Sequence, residues 1–207
     1  MNLILIGIQG SGKGTQAKQL VKKFDMKHIT TGEIFRKHIS QRTDLGMKAQ
    51  EYMNKGELVP DKFVFNIIEG TLNEANGNFI LDGFPRNITQ TEFLLNEFKI
   101  DAVILLDLKD EKAIERLMAR RHCENCGKDY NVLFKPPKQN GICDECGGKL
   151  VTRKDDNKEA ITKRIEKYHA ETNEVVKYFA EKNLLLKVDA DQTPKAIHED
   201  IIAKLKK

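Results

Sequence analysis

Apolar positions along this chain follow two periods that alternate. Leu3-Ile4-Leu5-Ile6 is a wholly apolar run ended by Gly7, the pattern of a short strand buried on both faces. From Lys13 to Phe24 the apolar positions change to helical spacing. The same pairing recurs as Asn78 to Asp82 followed by a helix over Thr89 to Phe98, and as Ala102 to Leu106 followed by a helix from Asp110 to Arg121. A long polar helix, Asp156 to Lys182, leads to a last strand, Leu184 to Val188, and a last helix, Thr193 to Lys206, with Thr193 as cap and Pro194 at the first helical position. Strands alternating with helices predict an α/β fold with a parallel sheet. Two regions break the alternation. Residues 30–59 show no clear strand and predict short helices around Gly46 and Gly56, while 122–150 carry Pro136-Pro137, Gly147-Gly148 and every cysteine, and predict no helix. Both read as insertions into one core.

Composition narrows the class only coarsely. Of 207 residues, 40% are hydrophobic and 32% charged, and 35 Lys+Arg against 31 Asp+Glu leave a net charge of +4, which excludes disordered and fibrous classes. That excess is too small to argue for nucleic acid, so any anionic partner must be recognised by placement. The first residues lack a cationic segment and no apolar stretch approaches the ~18 residues of a membrane span, which predicts a cytoplasmic protein without membrane contact.

The chemistry starts after the first strand. Gly7-Ile8-Gln9-Gly10-Ser11-Gly12-Lys13-Gly14-Thr15 lies between strand and helix, the setting a phosphate-binding loop requires. Glycines let backbone N–H groups converge on phosphate oxygens, the helix N-terminus adds partial positive charge, and Lys13 adds a full one. A plain glycine turn would need neither the lysine nor the strand. No guanine-specifying Asn-Lys-x-Asp follows; Asn54-Lys55-Gly56-Glu57 ends in the wrong acid, which sets GTPases aside.

Cys123-x2-Cys126 and Cys143-x2-Cys146 stand 16 residues apart, a spacing that predicts a four-thiolate structural zinc site with no open position for chemistry. Reduced or redox-active dithiols are the alternative. His122 adjoins Cys123, but the ligand set is complete without it; His28, His38, His169 and His198 have no ligand spacing and are read as structural or surface residues. A zinc ribbon can also bind nucleic acid, yet residues 118–156 hold eight Lys+Arg against six Asp+Glu and few aromatics to stack on bases.

Gly10-Ser11-Gly12-Lys13-Gly14-Thr15-Gln16, Thr30-Thr31-Gly32 with Arg36, and Asp82-Gly83-Phe84-Pro85-Arg86 together resemble the adenylate kinase family. Gly56 to Asp61, Arg120-Arg121, Thr152 to Asp156 and Arg164 extend the likeness along the chain, and Gln9 departs from the proline more common there. The resemblance implies a P-loop NTPase fold, a doubly wound parallel five-stranded sheet with helices on both faces. Its core would be residues 1–29, 60–117 and 157–207, with an AMP-binding helical insertion at 30–59 and a mobile zinc-ribbon-like lid at 118–156. It further implies magnesium-dependent transfer of the terminal phosphoryl group of ATP to AMP by a monomer. Lys13, Arg86, Arg120, Arg153 and Arg164 would be catalytic. ATP would be held by Gly10, Ser11, Gly12, Lys13, Gly14 and Thr15 with Arg116, Arg120, Asp129, Tyr130 and Gln192. AMP would be held by Thr31, Arg36, Glu57, Leu58, Val59, Gly83, Phe84, Pro85, Arg86 and Gln90, with Arg153 and Arg164 closing over it.

Arginine suits this work because its planar guanidinium keeps its charge and binds phosphate bidentately. Asp82, ending an apolar strand, is read as holding Mg²⁺ through water, with a turn-capping role as the alternative. UMP/CMP kinases share much of this frame; Thr31 and Gln90 favour adenine, since an amide offers a donor beside an acceptor. The reading from another class is a zinc-ribbon nucleic-acid-binding protein with a vestigial ATP site.

Overall fold

Alternate residues of the first strand pack into two different cores. Leu3 and Leu5 join one cluster and Ile4 and Ile6 the other, so the sheet is covered on both faces. The structure is a computed structural model that describes residues 1–55, 57–153 and 155–206, without the side chain of Asn66. Gly56 and Lys154, members of two motifs quoted above, lie outside the described residues.

Among the described residues the chain runs β1 (Asn2–Ile6), α1 (Lys13–Phe24), β2 (Lys27–Thr30), α2 (Thr31–Ser40), α3 (Asp44–Asn54), α4 (Asp61–Ala75), β3 (Phe79–Asp82), α5 (Ile88–Glu97), β4 (Ala102–Asp107) and α6 (Asp110–Met118). It continues through β5 (Arg120–Cys123), β6 (Asp129–Asn131), β7 (Leu150–Val151), α7 (Lys158–Lys167), one π-helical turn (Tyr168–Thr172), α8 (Asn173–Glu181), β8 (Leu185–Asp189) and α9 (Pro194–Leu205).

A five-stranded, wholly parallel sheet has the order β2-β3-β1-β4-β8, and a small antiparallel sheet the order β6-β5-β7. One face of the large sheet is covered by α1, α6, α7 and α9, through residues such as Leu20, Leu117, Ile161 and Ile201. The other is covered mainly by α4, α5 and α8, through Ile68, Leu72, Leu94 and Phe179. Truncating a buried strand residue such as Ile4 or Leu81 to Ala costs about 2–5 kcal/mol. With β1 central, the loop after it opens at the carboxyl edge of the sheet where the strand order reverses, the usual crevice of an open α/β sheet.

Four elements differ from the hydrophobic reading. β2 escapes it because Lys27-His28-Ile29-Thr30 buries only Ile29 fully, as an edge strand can. α4 escapes it because Phe63-Val64-Phe65 and Ile67-Ile68 run together and blur the helical period, although Val64, Ile68 and Leu72 do face the core. The helix expected to reach Arg121 stops at Met118, since Arg120 and Arg121 pair with Asn131 and Tyr130 in the small sheet. The helix expected over Asp156 to Lys182 starts at Lys158, capped by the Asn157 side chain on the Ala160 N–H at 2.9 Å, and passes through the π-turn before ending at Glu181. At the last helix Thr193 does cap, accepting from the Ala196 N–H at 3.3 Å, with Pro194 inside the first turn.

Candidate active site

The turn from β1 into α1 is tight enough to need its glycines. A Cβ on Gly10 would stand 2.9 Å from the Ala113 carbonyl oxygen, and its φ of +87° is one that L side chains rarely adopt. Gly12, at φ +97°, caps α1 in the same left-handed region. The loop thereby wraps Lys13, whose Nζ donates to the carbonyls of Gly7 at 2.7 Å and Ile8 at 3.1 Å. Burial, against the pull of Asp82 and with the push of Arg86, Arg120 and Arg164, lowers the Lys13 pKa to about 8. Ser11 Oγ in the same loop is buried without a hydrogen-bond partner, as are the Nε atoms of Arg153 and Arg164. Buried donors without partners are rare, and phosphate oxygens would satisfy them.

Across the cleft, β3 ends at Asp82, a buried carboxylate with His28 Nε2 3.7 Å away, too far for a hydrogen bond. This lone carboxylate beside the loop fits a magnesium ion that keeps several waters. Gly83 follows at φ +83°, where a Cβ would come within 3.0 Å of Thr31 Oγ1 and 3.1 Å of Arg86 Nη2. The missing side chain lets both pack on the turn: Thr31 Oγ1 and Arg86 Nε each donate to the Gly83 carbonyl, at 2.9 and 2.7 Å. Arg86 is fixed from two more sides, its N–H donating to Gln90 Oε1 at 2.8 Å and its carbonyl accepting from Thr172 of the π-turn at 3.1 Å. Burial lowers the pKa of Arg86, and likewise that of Arg36, where Arg153 adds to the effect.

The remaining arginines are held by acids. Arg120 makes a two-pronged bond to Asp156 at 2.7 and 2.6 Å; burial works against its charge, but Asp156 outweighs it and raises the pKa. Arg164 bonds Asp155 at 2.8 Å and Asp156 at 3.0 Å. Arg153 bonds both oxygens of Asp129, at 2.8 and 2.7 Å, and Asp129 also meets His122 Nδ1 at 3.0 Å. Burial alone would raise the Asp129 pKa, but Arg153, Arg120 and His122 bring it below the ordinary carboxylate value.

The four cysteines come together beside the small sheet. All four Sγ atoms lie within 4.8 Å of one another, with Cys123 to Cys146 at 3.5 Å and Cys126 to Cys143 at 3.6 Å. A disulfide needs about 2.05 Å, whereas metal–sulfur bonds of about 2.3 Å in a tetrahedron imply sulfurs about 3.8 Å apart. The cluster therefore fits a structural zinc ion. Tyr130 supports it: the ring is buried with Cys123, Cys143 and Leu150, and its hydroxyl, 3.4 Å from Cys143 Sγ, lowers that thiol's pKa to about 6, toward the thiolate that metals bind.

One cleft of about 1050 Å³ collects every nucleotide-site residue expected from the sequence, from both sides of the phosphate loop. That volume is at the upper end for a one-ligand site and leaves room for two. Two side chains point elsewhere than expected. Tyr130 spends its ring in the cysteine core, and the Asp129 carboxylate, which would repel phosphate, serves Arg153. Gln90 is engaged at both ends of its amide, to Arg86 and to Asp61 Oδ1 at 2.7 Å. His28, Phe134, Tyr168 and Thr172 are among the lining residues that the sequence did not assign to the site. Phe134 is 58% exposed with the Arg116 guanidinium 5.7 Å from its ring centroid. Nothing in the local sequence marks these four, because register, a hairpin and a π-turn bring them to the cleft. Of the other histidines, His38 bonds Thr43 and His169 bonds Asp110, as structural residues do.

The family model described as adenylate kinase matches residues 5–184. Among curated proteins, the adenylate kinase of Clostridium tetani (strain Massachusetts / E88) is 50% identical over 168 residues, which is 78% of each chain. The adenylate kinase of Caldicellulosiruptor bescii is 48% identical over 170 residues, 79% of each chain, and that of Staphylococcus aureus (strain Mu50 / ATCC 700699) is 49% identical over 168 residues, 78% of each.

Proposed function

The chain belongs to the adenylate kinase family and is an ATP:AMP phosphotransferase that uses Mg²⁺ with ATP, and from this premise we propose which of its residues carry the transfer. The observation that carries the assignment is the gathering of four cationic side chains, Lys13, Arg86, Arg120 and Arg164, in the one cleft at the phosphate loop.

Lys13 and the backbone of residues 10 to 15 hold the ATP phosphates, with Arg120 beside them. Arg116 and Phe134 offer flat faces to the ATP base, near Gln192. Arg36 and Arg86 hold the AMP phosphate, with the base against Thr31, Gln90 and the stretch Glu57 to Val59. No general base is needed, because a phosphate monoester with a second pKa of about 6 is already mostly dianionic at pH 7. An AMP phosphate oxygen attacks Pγ in line, a new P–O bond forms, the bond from Pγ to the β–γ bridging oxygen breaks, and ADP leaves with that electron pair. Arg153 and Arg164 neutralise charge spread over the moving group, and cations placed in advance do this without reorganisation. Asp82 would hold a magnesium ion through water, and when bound the ion would supply further neutralisation of phosphate charge.

Residues 118–156 form the lid and 30–59 the AMP-binding insertion, closing over the core of 1–29, 60–117 and 157–207. Closure excludes water, which would otherwise accept the phosphoryl group. Cys123, Cys126, Cys143 and Cys146 would hold a zinc ion that, when bound, keeps the lid one body apart from the reaction. Among the described residues no helix is long and apolar enough to cross a membrane, and we place the protein in the cytoplasm as a monomer without nucleic-acid partners.

A coupled assay with AMP, CMP, UMP and GMP as acceptors tests the substrate assignment. AMP is expected to exceed the others in kcat/KM by at least about tenfold, the scale set by one or two base hydrogen bonds. Robust CMP or UMP phosphorylation with poor AMP use refutes it.

A further inference from the structure

Gln90 is a buried amide whose orientation the structure settles completely. It lines the cleft and is 2% exposed. Its Oε1 accepts from the Arg86 N–H at 2.8 Å, and its Nε2 donates to Asp61 Oδ1 at 2.7 Å. Rotating the amide end for end would set an NH₂ against an N–H and a carbonyl against a carboxylate. Two like-with-like contacts at buried sites are costly enough to exclude that state.

Asp61 does not line the cleft, and it is itself held in place. It occupies the first position of α4, where the helix's positive end favours a carboxylate. Asn87 Nδ2 lies 3.2 Å from both of its oxygens, while Asn87 Oδ1 caps α5 on the Gln90 N–H at 2.8 Å. The start of α4 and the start of α5 are thus tied through Gln90.

An amide has two N–H donors and two acceptor lone pairs. With one of each spent on Asp61 and Arg86, Gln90 keeps one donor and one acceptor, in an order that the Arg86 N–H and the Asp61 carboxylate fix together, Asp61 being the side chain of the two. We propose that Asp61 is a specificity-positioning residue, locking the Gln90 amide in the orientation that accepts a base presenting an amino donor beside a ring-nitrogen acceptor and rejects the reversed pattern. Adenine has the accepted pattern and hypoxanthine, with a carbonyl and a ring N–H, the reversed one. The inference rests on the reading that places the AMP base at Gln90.

The test compares D61A, D61N and Q90A, and the double variant D61A/Q90A, with AMP and IMP as acceptors. In D61A the AMP KM rises about tenfold, and the AMP-over-IMP preference in kcat/KM falls by at least about tenfold, the worth of one charged hydrogen bond. kcat stays within about threefold and the ATP KM is unchanged, because Asp61 touches neither phosphate nor ATP. D61N, still able to accept from Nε2, restores most of the preference. In the Q90A background D61A changes the preference no further, as a residue acting only through Gln90 must behave.

An unchanged preference in D61A, equal losses toward AMP and IMP, or a full D61A effect in the Q90A background overturns the proposal. If Q90A has no effect on the AMP KM, the placement of the base fails and the proposal with it; if Q90A has one and D61A has none, only the proposal fails. D61S, too short to reach Nε2, substitutes for D61A if that variant does not fold.

Discussion

Lys13 joins the two demands of the phosphate loop, a full positive charge and a buried position. Burial lowers its pKa to about 8 from the ordinary lysine value of 10.5, so the free enzyme loses the proton as pH rises through about 8. In the role proposed for Lys13 it is the protonated form that binds phosphate. The ATP KM is therefore flat below pH 8 and rises above it, while kcat falls less because bound polyphosphate holds the proton on. A pH profile separating kcat from KM measures this; a KM flat to pH 10 contradicts it. The stability term has a related sign. Between about 8 and 10.5 the unfolded chain binds more protons at this site, so the penalty for burying the ammonium shrinks with rising pH. Lys13→Ala removes the charge and leaves a soluble fold, with kcat/KM lower by about 10²–10³-fold or more. The importance of Lys13 is readable from the sequence because spacing and a preceding strand define a phosphate loop. The place of His28 in the cleft is not: it gets there through the pairing of β2 with β3, and Lys27 to Thr30 carries no signal for that partner.

At the scale of elements, the small sheet depends on its cysteines. Among the described residues the buried cluster here is Cys123, Cys143, Tyr130 and Leu150 alone, too few to stand without a metal. Zinc analysis is expected to return about one ion per chain. Chelation, or Cys143→Ser, loosens β5 to β7 first, which hydrogen exchange over residues 118–156 resolves. If the loss is as small as ~2 kcal/mol, Tm falls by about 4–8 °C in a chain of this size. A metal-free protein of unchanged stability contradicts the structural role. The C-x2-C pairs announce this element because metal ligation is local chemistry. The end of α6 at Met118 is decided otherwise, by the pairing of Arg120 with Asn131 and by the Val132 N–H donating to the Ala119 carbonyl at 2.9 Å, contacts made with residues distant along the chain.

Over the whole molecule, the pairing of arginines with acids sets the energetic problem of closure. Arg120, Arg153 and Arg164 are each bound to carboxylates, and phosphate must compete with Asp129, Asp155 and Asp156 for them. If residues 118–156 close as proposed, closure is expected to need both ligands. Small-angle scattering is expected to show a smaller radius of gyration with a non-hydrolysable ATP analogue and AMP together than with either alone, and a light-scattering mass of one chain throughout. An unchanged radius with both bound counts against a moving lid and insertion. The alternation of strands and helices, the phosphate loop and the cysteine pairs were determined by the sequence, since each rests on spacing within a few turns of chain, whereas the arginines were implied only by the resemblance to the family. Tertiary structure alone decided the edge strand β2, the turn of Tyr130 into the cysteine core, the use of Asp129 on Arg153, and the tie from Asp61 to Gln90. These depend on which distant backbone a side chain meets, and a polar residue on a short element does not record its partner in its neighbours.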